Sequence, residues 1–275
     1  MRIRKVDDRK LNIVVFQGSA RDKDTCPNME SKTHKIVDHL VENWSIYADF
    51  EVIDLSVNQN KKPIIQPCKG CVSTAGGYHC HFQCSCYFKG NKEQPDLLKE
   101  LDVYTKLKDC DAFMVYSPIY WHSLSSQVKT LFDRLVCINQ TLTVEDAETL
   151  MGKGNIKNHE ITGELSKLGT SDYLLKNHLE GKYAAFYVHG DDGANDYSKN
   201  ELPKSYEPDS FSKDVRSVVE PFVAQLKYSG IFVPEELIEC FYINKGKDYY
   251  TSNEEFDKTF IEKSDNLIKN LLKLL

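Results

Sequence analysis

The sequence LNIVVFQGSARDKDT, residues Leu11–Thr25, decides the fold, because a short apolar run passes directly into a polar loop that contains glycine. Leu11–Gln17 is rich in β-branched residues and has apolar residues on both alternating faces, which is typical of a strand buried on both sides of a parallel sheet. Apolar residues recur at helical spacing after the loop: Ile36, Val37, Leu40, Val41 and Trp44. The segment therefore predicts a strand, a loop and a helix in that order.

The same alternation of strands and helices continues along the chain. The other four predicted strands are Phe50–Leu55, Ala112–Ser117, Tyr183–His189 and Glu239–Ile243. Helical stripes follow the third and fourth strands, and an amphipathic helix is predicted over Phe256–Leu275. Pro221 lies inside the stripe after the fourth strand, so that helix either kinks there or begins near Glu220. Because parallel strands need crossover connections, the sequence predicts an α/β protein with a five-stranded parallel sheet and helices on both faces.

Two long segments interrupt this alternation. Residues 58–96 hold five cysteines and little regular pattern, and residues 139–182 are polar and mixed. Both are longer than ordinary connections within a compact domain. We therefore predict one domain over residues 1–275 with two insertions, the first rich in cysteine and the second a lid over the ligand site or an oligomer contact.

The composition argues against several classes of protein. Lys and Arg number 35 and Asp and Glu number 41, for a formal charge of −6, which disfavours electrostatic binding to nucleic acid. No apolar run approaches the roughly 20 residues of a membrane-spanning helix, and the stretch Ile13–Phe16 is too short for a signal peptide. We expect a soluble, cytoplasmic protein with no nucleic-acid partner and no membrane span.

Three loops follow predicted strands at the edge where open parallel sheets bind their ligands. In the first loop, Gly18 permits a tight turn, Ser19 and Thr25 supply hydroxyl groups, and Arg21 supplies positive charge. Together with a helix N-terminus, these groups would form a phosphate cradle. The spacing fits neither a dinucleotide-binding loop nor a P-loop. A plain polar turn with helix caps is the alternative interpretation.

The second and third loops carry aromatic and polar residues. Pro118 stiffens the backbone after the third strand. Tyr120 and Trp121 would either form a wall for a flat heteroaromatic ligand or anchor the loop on the sheet. The third loop, residues 189–195, has glycines that would let backbone amides approach a ligand, although an exposed turn fits its pattern better.

The first two loops resemble those of a known family. GSARDKDT after the first strand matches the Gly, Ser and Arg of the pattern GSxRxxxxT, with its threonine, Thr25, one position earlier, and SPIYWHSLSSQVKTLFDRL after the third fits SPxYxxxxSxxxKxxxDR. Both are similar to patterns of the NAD(P)H-dependent FMN reductases, part of the flavodoxin-like superfamily that includes quinone reductases and iron–sulfur flavoproteins. The resemblance covers Leu11–Val136 well and Tyr183–Leu275 only through element order. It implies a flavodoxin-like three-layer α/β/α sandwich.

The resemblance also implies roles for individual residues. Ser19, Arg21 and Thr25 would hold the phosphate of noncovalently bound FMN. The residues that would line the flavin ring, the last two on its pyrimidine side, are Pro118, Ile119, Tyr120, Trp121, Gly190 and Asp191. Hydride transfer would belong to the flavin, so no catalytic acid or base is required. His122 stands where the family often has glycine, and it is a candidate substrate contact.

Five of the nine cysteines lie close together: Cys68, Cys71, Cys80, Cys84 and Cys86. The iron–sulfur flavoproteins that the chain resembles place a compact cysteine motif near this point, where thiolates hold a 4Fe-4S cluster. Only the opening CxxC matches that motif. Zinc is a second candidate. Disulfides, or reduced cysteines of the kind a cytosolic chain contains, are the alternatives without metal.

Together these residues predict an FMN-dependent oxidoreductase that passes hydride from NAD(P)H to a quinone, a nitro or azo compound, or free flavin. The resemblance implies a homodimer or homotetramer. One alternative is an electron carrier of flavodoxin or iron–sulfur type without a small-molecule substrate; the cysteines favour it, whereas the insertion at 139–182 favours a substrate pocket. A second alternative is a flavin-sensing scaffold that neither nicotinamide reduces.

Overall fold

The computed structural model describes residues 9–21, 31–56, 65–70, 100–135, 179–191, 215–243 and 254–275. The strands within these residues are β1 (Leu11–Gln17), β2 (Ala48–Asp54), β3 (Ala112–Tyr120), β4 (Ser123–Leu124), β5 (Tyr183–Asp191) and β6 (Ile238–Ile243). The helices are α1 (Lys32–Trp44), α2 (Val103–Asp109), α3 (Ser126–Arg134), α4 (Glu220–Tyr228) and α5 (Glu254–Leu274), with 3-10 turns at Val215–Val218 and Glu235–Leu237.

Five parallel strands form the sheet in the order β2-β1-β3-β5-β6, and β4 adds a short antiparallel pairing to β3. From β1 the sheet grows in one direction to β2, and then in the opposite direction through β3 and β5 to β6. The direction therefore reverses between β1 and β3, which is the topological switch point of the flavodoxin-like order. The predicted flavodoxin-like α/β fold with a five-stranded parallel sheet is confirmed.

Helices cover both faces of the sheet. Ile13 and Val15 of β1 belong to the same buried cluster as apolar residues of α1 and α5, whereas Val14 and Phe16 belong to the cluster formed with α2, α3 and α4. All four side chains are 0% exposed. Burial on both faces is the physical reason why the sequence of β1 is apolar at successive positions.

Strand β3 runs through Pro118 to Tyr120, beyond the predicted end at Ser117. Successive residues of a strand direct their backbone polar groups to opposite neighbours, so Pro118, like Tyr116, faces β1. The pairing of β1 with β3 ends at Tyr116, and the missing N–H of Pro118 therefore costs no ladder hydrogen bond. On the other side, Pro118 lies opposite His189 in the register with β5.

Two helices differ from or refine the prediction. Helix α2 was not expected, because its seven residues bury only Val103, Tyr104 and Leu107, too few to display a helical period. Helix α4 begins at Glu220 with Pro221 in its first turn, where the absent N–H has no intrahelical partner to lose. This confirms the second of the two alternatives for the helix that contains Pro221.

The adjacent charges Asp133 and Arg134 predict a structural ion pair, and this interpretation is wrong. Asp133 accepts from Lys129 one helical turn earlier. Arg134 is only 1% exposed, and its Nη1 donates to the Gln66 carbonyl at 2.9 Å. Arg134 therefore anchors part of the predicted first insertion to α3.

Most of the two predicted insertions lies outside the described residues, so their boundaries and the division into one domain stay predictions. Residues 65–70 and 179–182 are the parts of them that the structure describes. Among the described helices, none is long and apolar enough to cross a membrane.

Candidate functional site

The first loop begins where β1 comes closest to β3. The Gly18 N–H donates to Tyr116 O at 2.7 Å. A Cβ atom at Gly18 would collide with Val128 Cγ2 and lie 2.8 Å from Tyr116 O. Gly18 does not have a positive φ. Glycine is therefore required by close packing and not, as the sequence predicts, by turn geometry.

Ser125 joins the first loop to the start of α3. Its Oγ donates to Gly18 O at 2.5 Å and accepts from the Val128 N–H at 3.3 Å, so one hydroxyl caps the helix and holds the loop. The Ser125 N–H in turn donates to Ser117 Oγ at 3.2 Å. Direct hydrogen bonds therefore tie the first loop to the end of β3 at the switch point.

The residue that shapes the first loop is Gln17, at the end of β1. Its Oε1 accepts the Ser19 N–H at 2.6 Å, and its Nε2 lies 3.4 Å from Ser19 O. Sequence reasoning missed Gln17. The signal that could have found it is a polar side chain at the last position of a strand buried on both faces.

The donors of this loop suit a phosphate. Ser19 is 1% exposed, and its Oγ accepts the Arg21 N–H at 3.2 Å. Among the described residues, no acceptor faces the hydroxyl hydrogen of Ser19. Arg21 is half-buried and brings positive charge to the loop. A buried hydroxyl donor followed two residues later by an arginine fits the phosphate of FMN. Thr25, the third predicted phosphate ligand, lies outside the described residues.

The predicted second loop is a two-residue hairpin. Pro118, Ile119 and Tyr120 belong to β3, where Pro118 is buried and the other two are half-buried. Trp121 and His122 form the turn into β4, with φ of 48° and 59°. Positive φ at both central positions indicates a type I′ turn, which favours Asn and Gly, so both residues are strained. Trp121 is 96% exposed and projects from the edge of the sheet.

The third loop begins later than the sequence predicts. Gly190 and Asp191 pair with β6 and belong to β5, so an exposed turn is the wrong interpretation for residues 189–191. His189 is 2% exposed, and its Nε2 lies 3.1 Å from Thr33 Oγ1 on α1. Burial disfavours the charged imidazole and, together with the charge of Lys32, lowers the pKa of His189 to about 3.

The fold brings most of the described candidate residues to one edge of the sheet. Strands β1, β3 and β5 are neighbours in the sheet, so the first loop lies beside the ends of β3 and β5. Gly190 comes directly after His189, which is the partner of Pro118. Trp121 and His122 do not belong to a strand end, because they form the turn at the tip of the hairpin.

The cysteine cluster is described only in part. Cys68 is half-buried, and its Sγ accepts the Gly70 N–H at 3.4 Å. The other four candidate metal ligands, Cys71, Cys80, Cys84 and Cys86, lie outside the described residues. Within the part of the chain that the structure describes, no group of three or more His, Cys, Asp or Glu side chains could hold a metal. The 4Fe-4S and zinc alternatives therefore stay predictions.

Three solved structures are among those to which the chain is similar. The NAD(P)H:quinone oxidoreductase from Methanothermobacter marburgensis has a TM-score of 0.50 at 11% identity, covering 96% of this chain and 98% of that chain. RosB with bound 8-demethyl-8-formylriboflavin-5'-phosphate has a TM-score of 0.47 at 13% identity, covering 96% and 80%. General stress protein 14 from Treponema denticola, in complex with FMN, has a TM-score of 0.44 at 13% identity, covering 96% and 99%.

At 11% identity the quinone oxidoreductase shows the fold alone, and no curated protein sequence matches the chain significantly. The sequence profile of the NADPH-dependent FMN reductases, however, matches residues 11–153, which is more than half of the chain. The match includes β1, the first loop, β3, the hairpin and α3, which are the elements that meet at the switch point. The chain therefore belongs to the NADPH-dependent FMN reductase family.

Proposed function

We propose that the protein is an FMN-dependent oxidoreductase that passes hydride from NAD(P)H to a small acceptor: a quinone, a nitro or azo compound, or free flavin. The observation that carries the proposal is the hydrogen-bonded junction of the Ser19 loop with β3 and α3 in a chain of this family. In flavodoxin-like sheets the crevice at this switch point is where FMN binds.

Ser19, Arg21 and Thr25 would bind the phosphate. The Ser19 hydroxyl would donate to a phosphate oxygen, and the guanidinium of Arg21 would balance its charge. Because Ser19 is buried, a hydrogen bond formed there is little weakened by water. The phosphate would therefore anchor the cofactor at the β1 side of the site.

The end of β3 and the end of β5 would orient the flavin ring. The residues assigned to this contact are Pro118, Ile119, Tyr120, Trp121, Gly190 and Asp191. The ladder between β3 and β5 ends at Pro118 opposite His189, and Gly190 and Asp191 pair with β6, so these paired strand ends would form a rigid wall beside the ring. Bound FMN supplies the hydride-transfer chemistry, and no side-chain acid or base is assigned.

The acceptor would approach from the open side of the site. Trp121 is exposed at the tip of the hairpin and offers an aromatic surface to a planar acceptor. His122, next to it in the turn, is the candidate substrate contact. Both residues lie outside the buried junction that holds the Ser19 loop, so changes in the acceptor need not disturb cofactor binding.

A visible absorption spectrum of the purified protein tests the proposal first. We expect the two bands of oxidised flavin, release of FMN on denaturation, and oxidation of NADH or NADPH when a quinone such as menadione is added. A colourless protein that leaves the fluorescence of added FMN unchanged would contradict the proposal.

Arg21→Gln tests the assignment of the phosphate site. Loss of the charged donor should weaken FMN binding by about tenfold or more, as for other hydrogen bonds to charged groups. Arg216→Gln is the matched control, since Arg216 pairs with Glu220 at 2.7 Å outside the site. Equal FMN affinities for the two variants would show that the phosphate binds elsewhere.

An electron carrier is the second candidate function, and the cysteines at residues 68–86 favour it. A carrier would bind FMN or a cluster yet show no steady-state turnover of NAD(P)H with a quinone. A broad brown absorption shoulder would indicate an iron–sulfur cluster, whereas flavin bands alone would indicate an FMN enzyme without one.

We also propose that the protein is a cytoplasmic homodimer or homotetramer. The exposure of Trp121 supports this, because a second copy could cover the indole and complete the acceptor side of the site. Light scattering during size-exclusion chromatography tests the oligomeric state, and a mass of one chain would refute it.

A further inference from the structure

We propose that Gln17 is the positioning residue of the phosphate loop: its side-chain amide holds the backbone of Ser19, while Asp54 and His34 hold the amide. The proposal rests on the FMN site proposed above, because Ser19 is one of the residues assigned to the phosphate. Gln17 would not touch the cofactor and would act on it only through Ser19.

One side-chain amide binds both backbone groups of Ser19. Gln17 is 1% exposed, its Oε1 accepts the Ser19 N–H at 2.6 Å, and its Nε2 lies 3.4 Å from the Ser19 carbonyl. The backbone N–H groups of Gly18 and Ser19 are thus both bound within the protein. What Ser19 offers to an anion is its hydroxyl, whose oxygen also accepts the Arg21 N–H. A rotation of the Ser19 backbone would therefore displace the Ser19 hydroxyl and, with it, Arg21.

Asp54, at the end of β2, fixes the orientation of the amide. Gln17 Nε2 donates to Asp54 Oδ1 at 2.7 Å. A carboxylate only accepts hydrogen bonds and a backbone N–H only donates, so the amide nitrogen must face Asp54 and the amide oxygen must face Ser19. The reversed amide would lose both hydrogen bonds. Gln17 can therefore hold Ser19 in only one way.

The carboxylate of Asp54 is itself held in place. The N–H and Oγ of Ser56 donate to it at 2.8 and 3.1 Å. Partial burial alone would raise the pKa of Asp54, but its contact with His34 and the hydrogen bond from the Ser56 backbone outweigh burial and hold the pKa below its ordinary value. Asp54 is therefore ionised at neutral pH and available as an acceptor for Gln17.

His34, on α1, contacts both side chains. Its Nε2 lies 2.6 Å from Gln17 Nε2 and 3.2 Å from Asp54 Oδ2. With its hydrogen on Nδ1 the ring accepts from Gln17, and with a hydrogen on Nε2 it donates to Asp54. Either form ties the pair to α1. The amide of Gln17 therefore joins β1, β2 and α1 beneath the loop.

Gln17→Glu tests this arrangement with a change of one atom and one charge. At about pH 8 the introduced carboxylate can still accept the Ser19 N–H, but it repels Asp54, whose Oδ1 lies 2.7 Å from the replaced nitrogen. At lower pH a proton enters between the two carboxyl groups, because repulsion between close like charges raises one pKa, and His34, whose Nε2 lies 2.6 Å from the replaced nitrogen, competes for it. Whether a carboxyl or the imidazole carries the proton, the repulsion is removed, and the introduced side chain accepts from Ser19 as the native amide does.

The expected result is a variant whose defect depends on pH. Measured by quenching of FMN fluorescence and compared with wild type at each pH, Gln17→Glu should bind FMN about tenfold or more weakly at pH 8 and recover toward wild type near about pH 5.5. Gln17→Met has a similar shape and no hydrogen bonds, and it should bind weakly at both pH values. Gln127→Glu, the same substitution on α3, should match wild type at both.

A second measurement does not need the cofactor. Hydrogen exchange of the Ser19 amide in the ligand-free protein should be about tenfold or more faster in Gln17→Met than in wild type at the same pH, because the buried acceptor is gone. Should Gln17→Met not fold, Gln17→Glu at the two pH values replaces it, since its recovery is measured within one protein.

The two measurements separate the outcomes. If wild type binds FMN but both Gln17 variants bind within twofold of it, the inference is overturned and the proposed function stands. If wild type binds no FMN, the proposed function fails, and the exchange of Ser19 alone decides the inference: faster exchange supports it, and unchanged exchange overturns it.

Discussion

The loop after β1 and the hairpin after β3 leave the same edge of the sheet, yet they are built in opposite ways. In the first loop Gly18 and Ser19 are buried, and their backbone N–H groups are bound by Tyr116 and Gln17. In the hairpin, Trp121 and its neighbour have positive φ, and Trp121 is 96% exposed. One segment is closed by hydrogen bonds, and the other is held in a strained conformation at the surface.

This difference fits the two tasks of the proposed function. A phosphate has one shape and one charge, so donors fixed in advance bind it with little further ordering. Electron acceptors vary in shape, and an exposed aromatic turn restricts them less. Strain also tends to persist at functional sites, because the surrounding structure imposes it. The comparison therefore predicts that substitutions in the first loop act on stability and cofactor binding, whereas those at His122, the hairpin residue not assigned to the flavin, act on the acceptor.

The largest effect is expected from Gly18→Ala. The added Cβ would collide with Val128 and press on Tyr116 O, so we expect the free energy of unfolding to fall by about 3 kcal/mol. Gly181→Ala is the control: Gly181 has a φ of 82° but no atom within 4 Å of the added Cβ, and its cost should be only about 1 kcal/mol. Urea unfolding measures both. Equal costs would mean that close packing does not explain Gly18.

The burial of His189 should make the free energy of unfolding fall in acid. Its imidazole takes a proton near pH 3 when folded and near pH 6.5 when unfolded, so stability present above pH 6.5 is lost as the pH falls toward 3. Between pH 7 and 5 this amounts to about 2 kcal/mol. In His189→Gln that part of the pH dependence of unfolding should disappear.

Thr33→Val provides the control for His189. It removes the hydroxyl 3.1 Å from the imidazole but leaves a residue that titrates, so the pH dependence should remain even though the protein is less stable. Parallel curves of unfolding free energy against pH for wild type and His189→Gln would contradict the assignment.

Ser125→Ala should have the next largest effect, because Ser125 belongs to both regions. It removes the cap of α3 and the hydrogen bond to Gly18 O, with an expected cost of about 1.5 kcal/mol and weaker FMN binding. Ser126→Ala is the matched control, since the Ser126 hydroxyl is exposed and donates only to Gln127. If the two alanine variants are equally stable, Ser125 does not connect the loop to the helix.

The smallest effect is a gain in stability from His122→Gly. Glycine adopts the φ of 59° without strain, and after its larger loss of chain entropy the net gain should be about 0.5–1 kcal/mol. His122→Ala keeps the Cβ and should show no gain. FMN affinity should be unchanged in both variants, while the KM for the acceptor should rise in both if His122 contacts it. A loss of FMN binding would show that His122 contacts the cofactor and not the acceptor.

Much of the fold could be predicted from local pattern. The three inner strands are predictable because burial on both faces leaves runs such as Leu11–Gln17, and the order of all five follows from their alternation with helices. The ends of β3 and β5 were placed too early, because a proline and a glycine within a strand read as loop when the neighbouring strand is not known. Helix α2 is too short to show a period at all.

For the site, the sequence alone determined which residue types stand after β1 and β3, and these are sufficient to indicate the family and to propose a phosphate loop. Only the tertiary structure decided that Gly18 is packed against Val128 and that Gln17 holds Ser19 with the help of Asp54 and His34. The physical reason is that motifs record residues close in the chain. The amide of Gln17, by contrast, takes its orientation from donors and acceptors on β2 and α1 that meet it only when the sheet and its first helix assemble.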